Sequence, residues 1–241
     1  MIFILAPIGG GKTSLTKLLS DDLGSNAYYE DINGNHMIGS MLEKFYNAGA
    51  DSRKSIGSML QIAFLTYRFS QLKKAITEDN AILDSSLESD FIMAKQLHDN
   101  GEIDDIDYNI YVTLSQEMQS EVNGSPWNGY PDLAVYLKIS PDKEIEEIQH
   151  RGREMEDINA DPKLVEYYHR VNKAYEEWAK GYTRGLMVTV DRNKYDFVNN
   201  ETDRNAVLDM IEDKLVELGK LSPEKFQKIK AKRTHAVLDE I

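Results

Sequence analysis

Cysteine is absent from this chain of 241 residues. Its absence excludes a disulfide framework and a thiolate metal site, and a reducing cytoplasm suits such a composition. Long apolar runs are missing as well. No stretch approaches the roughly 20 apolar residues that span a bilayer, so no membrane partner is expected. Positive charge is scarce: 28 Lys and Arg stand against 41 Asp and Glu, a formal net charge of −13. A nucleic-acid polymer is therefore disfavoured as a partner, because polyphosphate binding depends on neutralisation by basic side chains. A small anionic ligand needs only a few local donors and stays open. The five histidines show neither metal spacing nor a nucleophile partner. No repeat and no low-complexity linker interrupts the chain. The start, Met1 to Pro7, lacks the basic segment of a secretory signal and is expected to be a buried strand.

What is present alternates with a clear rhythm. Short apolar runs at Ile2–Ala6, Ala27–Tyr29, Ala81–Asp84, Leu133–Ile139 and Leu186–Val190 predict strands. Between them lie helix-length segments, Lys12–Leu23, His36–Tyr46, Ser58–Thr77, Asp90–His98, Asp105–Val122, Pro141–His150, Pro162–Lys180 and Glu201–Leu218. Strands rich in Ile, Val and Leu, separated by helices, imply an α/β fold: a five-stranded parallel sheet flanked by helices on both faces. One domain over 1–220 is the economical reading. The stretch 221–241, with Lys225, Lys228, Lys230, Lys232 and Arg233, reads as a basic tail or an extra helix.

The first strand runs into Ala6-Pro7-Ile8-Gly9-Gly10-Gly11-Lys12-Thr13, which opens a helix. Strand, glycine loop and helix in that order are the context of a phosphate-binding P-loop. Gly9, Gly10 and Gly11 let backbone N–H groups approach a phosphate, and the helix N-terminus adds partial positive charge. Lys12 is expected to bridge the β- and γ-phosphates of ATP or another nucleoside triphosphate, and Thr13 to offer its hydroxyl to Mg²⁺. Ala6 stands where the general pattern has its first glycine.

A P-loop leaves the acceptor undecided. Glu30 ends the second strand, where a carboxylate can take a proton from an attacking hydroxyl. Gln61 and Arg68, seven residues apart on a helix, share a face that can read the edge of a base. Asp84 ends the third strand, the position of a Mg²⁺-holding acid, and Asp90 follows in the next helix. Arg151-Gly152-Arg153, after a helix, reads as an arginine-bearing lid that closes on the transferring phosphoryl group.

In this order the motifs resemble the deoxynucleoside kinase family, especially bacterial and phage deoxyadenosine and deoxyguanosine kinases, from Ile2 to about Leu218. The resemblance implies a P-loop kinase fold and a small deoxynucleoside as substrate. Glu30 is then the general base for its 5′-hydroxyl, with Lys12, Arg151 and Arg153 acting on the phosphates. It implies that Gln61, Arg68 and Asp90 contact the nucleobase and that Glu156 and Tyr46 hold the sugar. Asp196 and Phe197 would pack near the donor's adenine. A homodimer through helices Ser58–Thr77 and Asp105–Val122 follows from the same analogy.

Two positions depart from the family pattern. Ser85 replaces the arginine of the acid-Arg-Ser motif at 84–86, and Glu147 replaces an arginine four residues before Arg151. Both remove positive charge from the phosphoryl site, and Arg53, Lys54 or Lys143 are the cations that would compensate. Asn47–Gly57 reads as an insertion beside Tyr46. Two other readings remain. A nucleoside monophosphate kinase needs basic residues for the acceptor's phosphate, and Glu30–Tyr46 offers only Lys44. A nucleotide-binding relative with little catalysis is consistent with Ser85 and Glu147.

Overall fold

The computed structural model describes residues 1–30, 36–122, 129–153 and 156–239. The chain runs β1 (Ile2–Leu5), α1 (Lys12–Leu23), β2 (Ala27–Tyr28), α2 (His36–Asn47), α3 (Ala50–Ala75), β3 (Ile82–Asp84) and α4 (Leu87–Asp99). It continues through α5 (Asp105–Ser120), β4 (Leu133–Lys138), α6 (Pro141–Arg151), α7 (Lys163–Gly181), β5 (Leu186–Asp191), α8 (Glu201–Glu217) and α9 (Pro223–Asp239). The five strands form one parallel sheet in the order β2-β3-β1-β4-β5.

Strand side chains alternate between faces, so each strand feeds two cores. Ile2 and Ile4 of β1 join Leu133, Val135 and Leu137 of β4 and the inner faces of α1, α8 and α9. Phe3 and Leu5 join Ala134 and Tyr136 on the opposite face, with Leu65 and Leu72 of α3, Ile92 of α4, Tyr111 of α5 and Val171 of α7. Burial on both faces is why β1 and β4 read as continuous apolar runs.

Helix starts are set by local hydrogen bonds. Ser86, Asp104 and Asn200 each accept a backbone N–H from three residues ahead, capping α4, α5 and α8. Ser86 therefore starts α4 at Leu87, three residues before the Asp90 start that the sequence suggests. The stretch Asn47–Gly57 ends α2, breaks at 48–49, and then forms the first turns of α3.

The last helix belongs to the core rather than to solvent. Leu221, Phe226 and Ile229 are buried against α8. Arg233 pairs with Asp22 of α1 and with Asp209 and Glu212 of α8. Among the described residues no helix is long and apolar enough to cross a membrane.

Connections diverge beside β1: α1 leads to β2 on one side, while the chain after β4 leads to β5 on the other. A crevice therefore forms at the C-terminal ends of the strands, the place where such sheets bind ligands.

Candidate active site

The P-loop spans Ala6 to Gly11 between β1 and α1. Gly11 has φ +90°, where an L side chain is strained, and a Cβ there would stand 3.1 Å from Phe197 Cζ. At Gly9, with φ +77°, a Cβ would stand 2.9 Å from Ile148 Cγ1 of α6. The loop is thus pressed between the lid helix and the segment after β5. Lys12 turns back so that Nζ donates to the Ala6 carbonyl at 3.0 Å. Burial pulls its pKa below the usual lysine value, while Asp84 and Glu30 act in the opposite direction. Those two carboxylates and the lysine therefore share one electrostatic neighbourhood.

Thr13 Oγ1 donates to Asp84 Oδ2 at 2.6 Å. A hydroxyl and one carboxylate, both oxygen donors at the mouth of a phosphate loop, suit Mg²⁺, which completes its octahedron with waters and substrate phosphates. Among the described residues no group of three or more His, Cys, Asp or Glu forms a protein cage for a metal. The donor set fits a metal brought in with a nucleotide.

On the acceptor side, one guanidinium organises the pocket. Arg68 of α3 is 1% exposed; its Nη2 lies 3.0 Å from Glu30 Oε1, and its Nε donates to Asp90 Oδ1 at 3.4 Å. Burial opposes its charge, but Asp90, Glu30 and Asp84 together hold its pKa above the usual value. Burial raises Asp90 to about 7, against the pull of Arg68. Arg68 Nη1 and Asp90 Oδ2 are both buried with no hydrogen-bond partner among the described residues. An unpaired buried donor and acceptor cost free energy unless a ligand satisfies them. Gln61, two turns before Arg68 on α3, is buried as well. Tyr46 lies in α2, but its side chain falls outside the described residues.

The lid arginines are engaged with one acid. Arg151 donates to Glu156 Oε2 from Nε at 3.1 Å and from Nη2 at 2.5 Å, and Arg153 Nη1 lies 3.6 Å from Glu156 Oε1. The carboxylate assigned by resemblance to the sugar is here held by both cations. Behind the P-loop, Phe197 is buried in the core, and the Asp196 N–H donates to Asp203.

The departing positions have definite surroundings. Ser85 is buried with φ +82°, a conformation costly for a residue with a Cβ. Glu147 accepts from Arg192 Nη2 at 3.3 Å. The cation beside Glu147 is thus Arg192, which is none of the three expected from the sequence. Arg53 instead stacks on Phe45, with 4.7 Å from its guanidinium carbon to the ring centroid.

Residues 2–217 match the family described as deoxynucleoside kinase. The chain belongs to the deoxynucleoside kinase family. A deoxyguanosine kinase of Lactobacillus acidophilus is 38% identical over 221 residues, 92% of this chain and 93% of that protein. A deoxyadenosine kinase of the same organism is 34% identical over 221 residues, 92% of this chain and 99% of that protein. Among solved structures, deoxyadenosine kinase from M. mycoides with products dCMP and a flexible dCDP superposes with a TM-score of 0.67. It shares 27% identity and covers 90% of this chain and 98% of that one.

The deoxynucleoside kinase thus transfers a phosphoryl group from a nucleotide donor to a small deoxynucleoside, and the monophosphate kinase reading gives way to this one. Two residues beside the P-loop escaped the sequence analysis. Arg192 follows β5 with no motif around it. Glu144 of α6 is 0% exposed, accepts from Asn172 Nδ2 at 2.5 Å, and interacts electrostatically with Lys12. The inward stripe Glu144, Glu147 and Ile148, at helical spacing, was the available signal.

Proposed function

We propose that this kinase phosphorylates the 5′-hydroxyl of a purine deoxynucleoside, deoxyadenosine foremost, with ATP as donor and Mg²⁺ held by Thr13 and Asp84. The observation that carries the reading is the pair of unpartnered buried atoms, Arg68 Nη1 and Asp90 Oδ2. On side chains that pair through Arg68 Nε and Asp90 Oδ1, they offer a donor and an acceptor. Adenine presents the complement, an exocyclic amine beside a ring-nitrogen acceptor, and cytosine does so too. Thymine presents a carbonyl and an N–H there, leaving Asp90 facing an acceptor. The purine kinases among the relatives favour the larger base.

Glu30 is the general base in this reading. Arg68 holds its carboxylate in place, and its neighbourhood with Lys12 puts it on the phosphate side of the pocket. Gln61 faces another edge of the base, and Glu156 and Tyr46 are assigned to the sugar. Lys12, Arg151 and Arg153 bind the phosphates, Gly9, Gly10 and Gly11 cradle them, and Asp196 and Phe197 lie by the donor base. Mg²⁺ neutralises the nucleotide's phosphate charge.

A cytoplasmic homodimer completes the proposal. Ile106 and Ile110 on α5 and Met59 on α3 are large apolar side chains left more than half exposed on two helices that pack together. A coupled assay of the four deoxynucleosides with ATP and Mg²⁺ tests the substrate. Deoxyadenosine should be turned over best, deoxyguanosine or deoxycytidine more weakly and thymidine poorly; a preference for thymidine would overturn the assignment.

A further inference from the structure

Helix α6 meets the donor side of the P-loop through a charge pair that the phosphate chemistry and the acceptor pocket leave unused. Its inward stripe puts Ile148 over Gly9 and Glu147 onto Arg192. Arg192 is 1% exposed, and its guanidinium carbon lies 4.4 Å from the centroid of the Phe197 ring. Its Nη1 donates to the Tyr195 carbonyl at 2.8 Å. Both side chains close on the P-loop: a Cβ on Gly11 would stand 3.1 Å from Phe197 Cζ and 3.6 Å from Arg192 Nε. That Nε is buried without a hydrogen-bond partner among the described residues.

A buried arginine paired, among the described residues, only with two partly exposed acids, Glu147 at 3.3 Å and Asp196 at 3.9 Å, is a poor stabilising device, because desolvation consumes most of the attraction. Its position explains it better. Lid helix, β5 exit and phosphate loop all converge on this one guanidinium. The resemblance calls for arginine at 147; here an acid at that position draws in an arginine from another element.

We propose that Arg192 is a positioning residue for the phosphate donor: gripped by Glu147, it clamps the lid helix and Phe197 against Gly11 and so sets the donor-side wall. The inference rests on the P-loop being the donor site. Glu147 and Arg192 act as one unit, and neither touches the nucleoside.

Steady-state kinetics of the full chain, varying ATP and the best deoxynucleoside separately, test it. Arg192→Met and Glu147→Gln should each raise the KM for ATP about tenfold, equivalent to about 1.4 kcal/mol, while the KM for the nucleoside moves less than about twofold. The reversed pair, Glu147→Arg with Arg192→Glu, should recover most of the loss. Should that double variant not fold, Arg192→Lys, which keeps the charge and loses the planar fork, should fall between wild type and Arg192→Met. Variants that melt earlier yet keep the ATP KM would reduce the pair to a structural contact and overturn the inference, as would equal changes in both KM values. Lys12→Ala run in parallel separates the two claims. If it retains turnover the P-loop reading itself fails, whereas its inactivity beside unaffected Arg192 variants sinks only the inference.

Discussion

Arg68 Nη2 stands 3.0 Å from Glu30 Oε1, so the proposed general base is held by a buried side chain of α3. The same guanidinium donates to Asp90. In the proposed function, base recognition and proton abstraction therefore hang on one group that has no room to swing. Long-side-chain flexibility, the usual objection to an arginine as a precise support, is removed by burial and two carboxylates.

Replacing Glu30 by Gln keeps the shape and removes the basicity. We expect kcat to fall about 10²-fold or more, with a small change in nucleoside KM, because general-base catalysis contributes on that scale. Steady-state kinetics check it. A Glu30→Gln enzyme with wild-type kcat would remove Glu30 from the chemistry.

If Asp90 reads the base as proposed, it sets both a base preference and a pH limit. Burial raises it to about 7, so it is protonated below that pH and ionised above it. Only the ionised carboxylate accepts from an exocyclic amine on every oxygen. The kcat/KM for deoxyadenosine should therefore decline as pH drops below about 7, and Asp90→Ala should narrow the gap between bases more than it lowers total activity. A pH profile flat from 5 to 8 would contradict the assignment.

Glu144 should make stability fall as pH rises. Its carboxyl is raised to about 7 chiefly by burial, with Asn172 and Lys12 pulling it down. The folded state thus binds a proton that the unfolded state releases near its ordinary carboxylate pKa. The stabilisation is full at low pH and is lost between about 4 and 7. Glu144→Gln, neutral throughout, should melt like wild type at pH 5 and a few degrees higher at pH 8, at roughly 2–4 °C per kcal/mol for a domain of this size. Melting curves at both pH values decide it.

Arg233 ties α9 to α1 and α8. Glu212 is 0% exposed, and removal of its guanidinium partner leaves that acid buried alone. Arg233→Met should cost about 3 kcal/mol of stability, the scale for breaking a buried pair. Chemical denaturation measures it, and an unchanged midpoint would show that α9 is not anchored there.

The sheet was legible because parallel strands are apolar on both faces and sit between helices, as at Ile2–Leu5 and Leu133–Lys138. The P-loop was legible because its glycines, lysine and threonine are contiguous. The start of α3 was not: Gly49 and Gly57 look like loop residues, yet Gly57 sits inside the helix, where a Cβ would crowd the Phe45 ring at 3.2 Å. The tail's lysines disguised Leu221, Phe226 and Ile229 as incidental, although their spacing lays them on one face of a helix and its approach. Arg192 was invisible for a different reason. Its meaning depends on Glu147 and Gly11, 45 and 181 residues away in the chain, and only tertiary packing brings them together.

The carboxylates gathered around Arg68 have a consequence for turnover. In the proposed function, half-buried Glu30 and the buried Asp84 and Asp90 flank the pocket that an uncharged nucleoside enters and a dianionic monophosphate must leave. The pocket that admits the neutral reactant at no electrostatic cost repels the charged product once the donor's cations let go. In that reading release is favoured by the acids gathered around Arg68, and a monophosphate arriving from solution would meet the same repulsion.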